Sequence, residues 1–430
     1  MRNRAWRFLW VVPSLLLVGV LFYNIPPVKS RLAWRVDEFR ARIKYALSPP
    51  EQVVFVPREQ VSTAINNTPS PEPRTRPKLS PTISPVGPTA TFTPKPTPAF
   101  TSTPIPGSIQ LTGFRQEYQG WNNCGPATLA MSLSYWGWEG DQYDIVPLTK
   151  PNPRDKNVMP YEMVDFVETQ TDLKVISRVG GELQLLKQFM AAGFPVIIEK
   201  GFEGPEFDGW MGHYELITGY DDTINRFTAQ DSYIGPDLKL DYDYVQSYWR
   251  AFNFTYLVVY SEDREPQVMS ILGLQSEKAF NDQFTAQKAS DETALLSGRD
   301  LFFAWFNRGT SLVDLQDNAG AAEAYDQAFA LYPSIPEKER PWRMLWYQTG
   351  PYWAYYYTGR YQDVIDLAIK TLDNMSEPIL EESYYWRALA QEAMGDNKAA
   401  IQDLQASLKY HPGFEPALQQ LQKYGLETQP

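Results

Sequence analysis

The chain has 430 residues, 43% of them hydrophobic and 14% aromatic, enough for two or three packed domains. Its net charge of -12 is unevenly spread: residues 1–107 hold 14 Lys+Arg and 5 Asp+Glu, so the rest holds 25 basic and 46 acidic side chains (39 less 14, and 51 less 5), a net of -21. An acidic globular part argues against nucleic acid as a partner, and one cysteine excludes an intrachain disulfide framework and a cysteine-based zinc site.

Residues 8–23 form an uncharged, mostly apolar run, preceded by Arg2, Arg4 and Arg7 and stopped by Pro26 and Pro27. The run is short for a span, but tilt, bilayer thinning and snorkelling of Arg7 accommodate it. No small-x-small cleavage site follows, so an uncleaved transmembrane helix within residues 1–27 is favoured over a signal peptide. Basic residues crowd both flanks, and the positive-inside rule alone does not set the orientation. Residues 28–65 are juxtamembrane. Within them, 28–47 read either as a basic amphipathic helix lying on the membrane or as a plain solvated helix.

Residues 66–107 are a Pro/Thr/Ser-rich linker. Such a composition buries too little apolar surface to fold and tends to an extended, polyproline-like form. At about 3.1 Å per residue, its last forty residues reach roughly 120 Å. A stalk after an anchor holds a domain away from the bilayer, which places the globular part on the extracytoplasmic side. A ligand for proline-recognition domains is the less favoured reading.

Residues 108–262 form the next unit. Periodicity predicts helices over 124–136, 161–169, 182–192 and 241–250. Strands are expected over 173–179, 194–199, 213–220, 226–231 and 254–260. Early helices with a later antiparallel sheet make an α+β arrangement. Cys124 opens the first helix. Asn122 and Asn123 precede it as capping residue types, and Pro126 suits a first turn. A thiol there meets the positive end of the helix dipole, which favours thiolate. Gly125 admits another backbone close to the sulfur. A lone Cys is more often a small buried hydrophobe, but this one starts a helix instead of lying on an apolar stripe.

His213 is one of only two histidines and begins the first strand of a hairpin whose turn is Asp221-Asp222-Thr223. A turn centred near Asp222 puts Asp231 opposite His213, with Cβ atoms about 5 Å apart. Another register makes the pair diagonal, still within contact. Asp231 then accepts the imidazole N–H and aims His213 at Cys124. Trp121 and Trp210 either line the cleft or pack ordinarily, and the loop 200–212 shapes it.

The stretches NCGPATLAM (123–131), GHYELITGY (212–220) and AQD (229–231) resemble the three signatures of papain-like cysteine peptidases of the bacteriocin-processing, double-glycine-leader type, in their stand-alone branch. The resemblance spans residues 108–262. It implies Cys124 as nucleophile, His213 as general base and acid, and Asp231 as orienter. It also implies an upstream glutamine as oxyanion donor, Gln119 or Gln116. Gly125, Gly212, Trp121 and Trp210 are then expected at the substrate, with no cofactor and no metal. No transporter or ATPase portion is expected, so the export role of that family is not expected to carry over.

Residues 263–295 read as a polar, partly helical connector. Residues 296–426 carry the tetratricopeptide pattern: Trp305, Gly309, Leu312, Ala321, Tyr325, Ala328 and Pro333, then Tyr384, Ala388, Gly395, Ala400, Leu404 and Pro412, with a degenerate repeat between them. Three helix pairs are enough to stack. His411 ends a repeat and reads as structural, and two histidines so far apart give no zinc-ligand spacing. The chain is thus expected to be multidomain. It joins a transmembrane helix, a linker, an α+β papain-like peptidase domain and an all-α tetratricopeptide solenoid. The expected function is membrane-anchored hydrolysis of a peptide or protein, with the repeats recruiting a protein partner. A non-catalytic binding module and a thiol acyltransferase are the alternatives.

Overall fold

The computed structural model describes residues 14, 36, 39–58, 105–203 and 209–426. The expected anchor and nearly all of the linker lie outside the described residues. Among the described residues, no helix is long and apolar enough to cross a membrane.

Among the described residues, the α+β unit has seven strands: β1 (Ser108–Gln110), β2 (Leu173–Arg178), β3 (Val196–Phe202), β4 (Met211–Asp221), β5 (Arg226–Asp231), β6 (Gly235–Asp241) and β7 (Tyr256–Ser261). They make one sheet in the order β2-β7-β3-β4-β5-β6, with β1 also on β4. All pairings are antiparallel. Helices α1 (Cys124–Tyr135), α2 (Gln142–Thr149) and α3 (Pro160–Gln170) cover one face. Helices α4 (Leu183–Ala191) and α5 (Tyr242–Arg250) cover the other. The strand period of two sorts the side chains between these layers. Ile197, Leu257 and Val259 pack under α1 and α3, while Val196, Ile198 and Val258 pack under α4 and α5. With both faces covered, β7 and the first three residues of β3 read as apolar runs, and even Glu199 and Lys200 of β3 are buried. Helix α1 is buried along residues 125–133, and Cys124 at its first position is the exception.

Helix α2 and strand β6 escape the periodicity reading. Pro147 sits inside α2, whose start is fixed by a reciprocal capping box between Asp141 and Asp144. Strand β6 is an edge strand with an exposed middle. The hairpin register also differs from the expected one. Leu216 pairs with Gln230, and the register shifts by one between Ile217 and Gly219. The turn runs on to Asn225, at positive φ, and the Asp221 carboxylate accepts the Thr223 N–H. The turn centre therefore lies beyond Asp222, and Asp231 lies diagonal to His213 instead of opposite it.

The expected connector is a structured bridge. Helix α6 (Glu265–Leu272) buries Val268 and Leu272 against the sheet layer. Helix α7 (Lys278–Leu295) packs on α8 (Gly298–Asp314). Its contacts to the peptidase unit are polar: Asn281 Nδ2 donates to the Val179 carbonyl, and Lys288 Nζ to those of Gly180 and Gly181. An interface made of polar side chains leaves no apolar stripe to read.

The repeats are α8 with α9 (Asn318–Leu331), α10 (Gly350–Tyr357) with α11 (Tyr361–Asn374), and α12 (Glu381–Ala393) with α13 (Asn397–Tyr410). Helix α14 (Glu415–Lys423) follows them. Gly309 is required where α8 meets α9, because a Cβ there would lie 2.7 Å from the Tyr325 ring. Asp317 and Asp396 cap the second helices of their pairs.

This solenoid shares its core with the peptidase unit. Trp210, Ala251 and Phe252 belong to one buried cluster with Phe302, Phe303, Phe306 and Tyr352. Hydrogen bonds run from Arg343 to the Trp210 carbonyl, Gln348 to that of Ala251 and Asn307 to that of Arg250.

Residues 44–58, ahead of the linker, also dock on the repeats. Phe55 is buried against Phe329 and Tyr355. Tyr45 meets Trp342 edge-on, Lys44 donates to the carbonyls of Asp373 and Met375, and Arg58 pairs with Asp366. The described residues on both sides of the linker, 44–58 and 105–110, are thus seated on the folded part.

Candidate active site

Cys124 is half-buried at the first position of α1. Here the leading backbone N–H groups have no intrahelical acceptor and the dipole favours an anion. The preceding loop is held from below. Lys150, 1% exposed, donates through Nζ to the carbonyls of Trp121 and Asn122 and to Asn123 Oδ1. Gln142 Oε1 accepts from the Gly120 N–H and from Asn123 Nδ2, while its Nε2 donates to Glu117 and to the Tyr118 carbonyl. Neither residue stood out in the sequence. A lone Lys and Gln bracketing a short helix read as surface side chains, and nothing local signals their burial.

His213 lies on β4, buried, with Nε2 2.9 Å from Asp231 Oδ2. Asp231 is fully buried at the end of β5. Its Oδ1 accepts the N–H groups of Tyr233 and Ile234, each at 2.6 Å. Both carboxylate oxygens are thus engaged, and the one facing His213 is fixed in direction. With Nε2 occupied, the other ring nitrogen is left for the Cys124 thiol, which feels the charge of His213. Phe202 lies against the imidazole at 4.8 Å between ring centres.

The electrostatics follow from this chain of contacts. Burial pushes the Cys124 thiol up, but the hydrogen bond and charge of His213, with the N–H groups of Tyr214 and Gly125, bring it below its ordinary value. Burial pushes His213 down, yet the Asp231 carboxylate and the Cys124 sulfur raise it to about 10. Burial opposes ionisation of Asp231 as well, and the His213 charge and hydrogen bond hold it well below the usual carboxylate range. The arrangement favours a thiolate–imidazolium pair across neutral pH. Beneath it Lys200 and Glu215, both buried, face each other at 3.5 Å.

Other expected site residues fall differently. Gln119 donates its N–H to the Ser232 carbonyl and accepts the Ser232 hydroxyl at Oε1. Gln116 Nε2 donates to the Asp231 carbonyl. Both glutamines brace the end of β5, and the geometry does not select one as an oxyanion donor. Trp121 is 37% exposed, with Lys156 over its ring. Trp210 does not line a cleft: it is 1% exposed, stacked on Phe252, and belongs to the seam with the repeats. Gly125 is buried beneath Val158 and Tyr214, so its missing side chain serves helix-on-strand packing and not substrate approach. Gly212 makes room for the repeats. A Cβ there would sit 2.7 Å from Phe252 and 3.0 Å from the ring of Tyr347, a solenoid residue whose electrostatic neighbours include Cys124.

Residues 105–257 match the family model described as the Peptidase_C39 like family. This segment is a C39-like peptidase domain. Residues 382–413, which hold α12 and α13, match a tetratricopeptide repeat model. Among solved structures, the chain is similar to a protein described as a C39-like peptidase from Bacillus anthracis, at 16% identity and TM-score 0.30, covering 36% of this chain and 98% of that one. It is also similar to the peptidase domain of Streptococcus ComA, a bifunctional ABC transporter of a quorum-sensing pathway (16% identity, TM-score 0.29, covering 35% and 100%). A third is xylellain, a cysteine protease from Xylella fastidiosa (14% identity, TM-score 0.28, covering 37% and 87%). No curated protein matches the chain.

The protonation states of the C39-like site give a pH signature. Alkylation of Cys124 is expected to stay fast below the range of an ordinary thiol, because its pKa is depressed. His213→Ala moves the alkylation profile to higher pH, because the largest lowering contribution is lost. Any turnover falls as pH rises through about 10, where the imidazolium proton is lost, while alkylation continues. The raised histidine pKa also couples to folding. Its stabilisation is complete below its ordinary value of 6.5 and is lost as pH rises through about 10. Iodoacetamide rates from pH 5 to 11 check the profile. An unchanged profile in His213→Ala would sink the ion-pair assignment.

Proposed function

We propose that the protein is a cysteine peptidase that cleaves peptide bonds with Cys124 as nucleophile, His213 as general base and acid, and Asp231 as orienter. The Cys124 thiolate attacks the scissile carbonyl, and the imidazolium protonates the leaving amine. The same imidazole then takes a proton from water as the acyl group is released. The Cys124 backbone N–H at the helix start is the proposed oxyanion donor, with Gln119 or Gln116 as the second. The observation that carries this reading is an imidazole held by a doubly anchored carboxylate, with the helix-start Cys124 thiol lowered by the charge of that imidazole.

Residues 8–23 are proposed to anchor the chain in a membrane with the folded part extracytoplasmic. The repeats are proposed to engage a protein partner or substrate, and Trp121 to contact the substrate. The stand-alone, double-glycine subtype supplies the first substrate set to try.

The test is a peptide library containing Gly-Gly sites, incubated with the full chain and with Cys124→Ala and read by mass spectrometry. Cleavage by the parent chain alone supports the assignment. Probe labelling of Cys124 with no cleavage, in hydroxylamine-supplemented or plain buffer, would favour a binding module. Transfer to the added amine in place of hydrolysis would favour an acyltransferase.

A further inference from the structure

A second cluster of chemically active side chains lies where the repeats meet the loop after α2. Asp155, Glu381 and His411 each present one donor atom there, all within 4.8 Å of one another. His411 Nδ1 is 2.7 Å from Glu381 Oε1. Asp155 and Glu381 are each 2% exposed, and Glu382 beside them is 7% exposed. Glu381 Oε2 and Glu382 Oε2 are buried with no hydrogen-bond partner. Glu382 Oε1 has only Asn157 Nδ2 at 3.5 Å.

A buried acceptor without a donor is costly, and more so when charged. Buried carboxylates at this spacing also repel one another. Lys150, whose charge acts on Asp155, donates its hydrogen bonds to Trp121, Asn122 and Asn123 instead. The orphaned oxygens are answered by a bound cation.

We propose that Asp155, Glu381 and His411 form a site for one divalent first-row transition-metal ion, with Zn2+ the best fit, at the seam between peptidase domain and repeats. An imidazole with carboxylates is an ordinary zinc donor set, whereas Ca2+ and Mg2+ take oxygen-only shells. Distance in the sequence hides the site, since the two histidines by themselves offer no zinc-ligand spacing. The fold brings together the start of α12, the end of α13 and a loop more than two hundred residues earlier.

The site is also wired to the catalytic loop. The Asp155 carbonyl accepts from Asn122 Nδ2 at 3.1 Å, two residues before Cys124. A metal bound here pins that loop to the solenoid.

The experiment uses the full chain carrying Cys124→Ala, which removes the only thiol, stripped with a chelator and titrated with zinc chloride by calorimetry. One Zn2+ per chain and no response to calcium chloride are expected. His411→Ala or Glu381→Gln in that background should weaken zinc by more than the roughly 10–100-fold that outer-shell losses cost. Absence of zinc binding, or binding unchanged by both substitutions, overturns the proposal. Should either variant fail to fold, Co2+ added to the Cys124→Ala chain decides. Visible ligand-field bands without a thiolate charge-transfer band support the site, and a featureless spectrum overturns it.

Discussion

Asp231→Asn is expected to lower peptide hydrolysis by about 10^4-fold while leaving the fold intact, by analogy with the loss of the orienting carboxylate in serine peptidases. The carboxylate reaches His213 through Oδ2 and is locked by two backbone N–H groups on Oδ1. An amide of the same shape can keep those contacts only by turning its oxygen to one side and its nitrogen to the other. With its oxygen kept on the backbone donors, its nitrogen faces Nε2 and demands an acceptor there. The proton then sits on the nitrogen facing Cys124, which makes the ring unable to take the thiol proton. The thiol should also climb back toward an ordinary value, because the imidazolium that depressed it loses its partner. Steady-state kinetics on a cleaved peptide, together with the iodoacetamide rate at neutral pH, measure both effects. Wild-type rates in both assays would remove Asp231 from the mechanism.

A second large effect is expected from cutting the chain after residue 262. Trp210 and Phe252 then lose the Phe303 and Tyr347 rings that cover them. Exposing two such side chains forfeits about 3–6 kcal/mol. The lost hydrogen bonds to the carbonyls of Trp210, Ala251 and Arg250 add about 0.5–1.5 kcal/mol each. A domain of this size has only about 5–15 kcal/mol in total. The isolated peptidase segment should therefore aggregate or melt far below the parent chain, as read by thermal denaturation and size-exclusion chromatography. A stable, monomeric fragment that labels normally at Cys124 would make the shared core dispensable and return the repeats to a purely recruiting role.

Much of this architecture is legible in the residues because the local signals agree with the tertiary ones. The alternation in β4 and β5, the helix-start chemistry around Cys124 and the small residues of the repeats each have one structural solution. What stays hidden depends on partners distant in sequence. Lys150 and Gln142 are ordinary polar residues until the loop they hold is folded over them. Trp210 looks like a cleft aromatic until α8 supplies its cover. Helix α7 docks through Asn281 and Lys288, so hydropathy underrates it. The diagonal placement of Asp231 turns on one irregularity near Thr218, which turn chemistry alone does not specify.

The docking of Phe55 and Tyr45 on the solenoid changes what a break in the Pro/Thr-rich segment would do. Because both flanks are seated on one body, the uncut chain presents residues 44–58 to their groove at a high local concentration, of millimolar order for a short flexible tether and lower for a longer one. Proteolysis between 59 and 104 would turn a folded intramolecular contact into a two-piece complex with a finite lifetime. The nicked protein should co-migrate in native gels and separate in denaturing ones. Shedding from a proposed anchor at residues 8–23 would then be timed by dissociation of a small aromatic plug, and not by the cut itself.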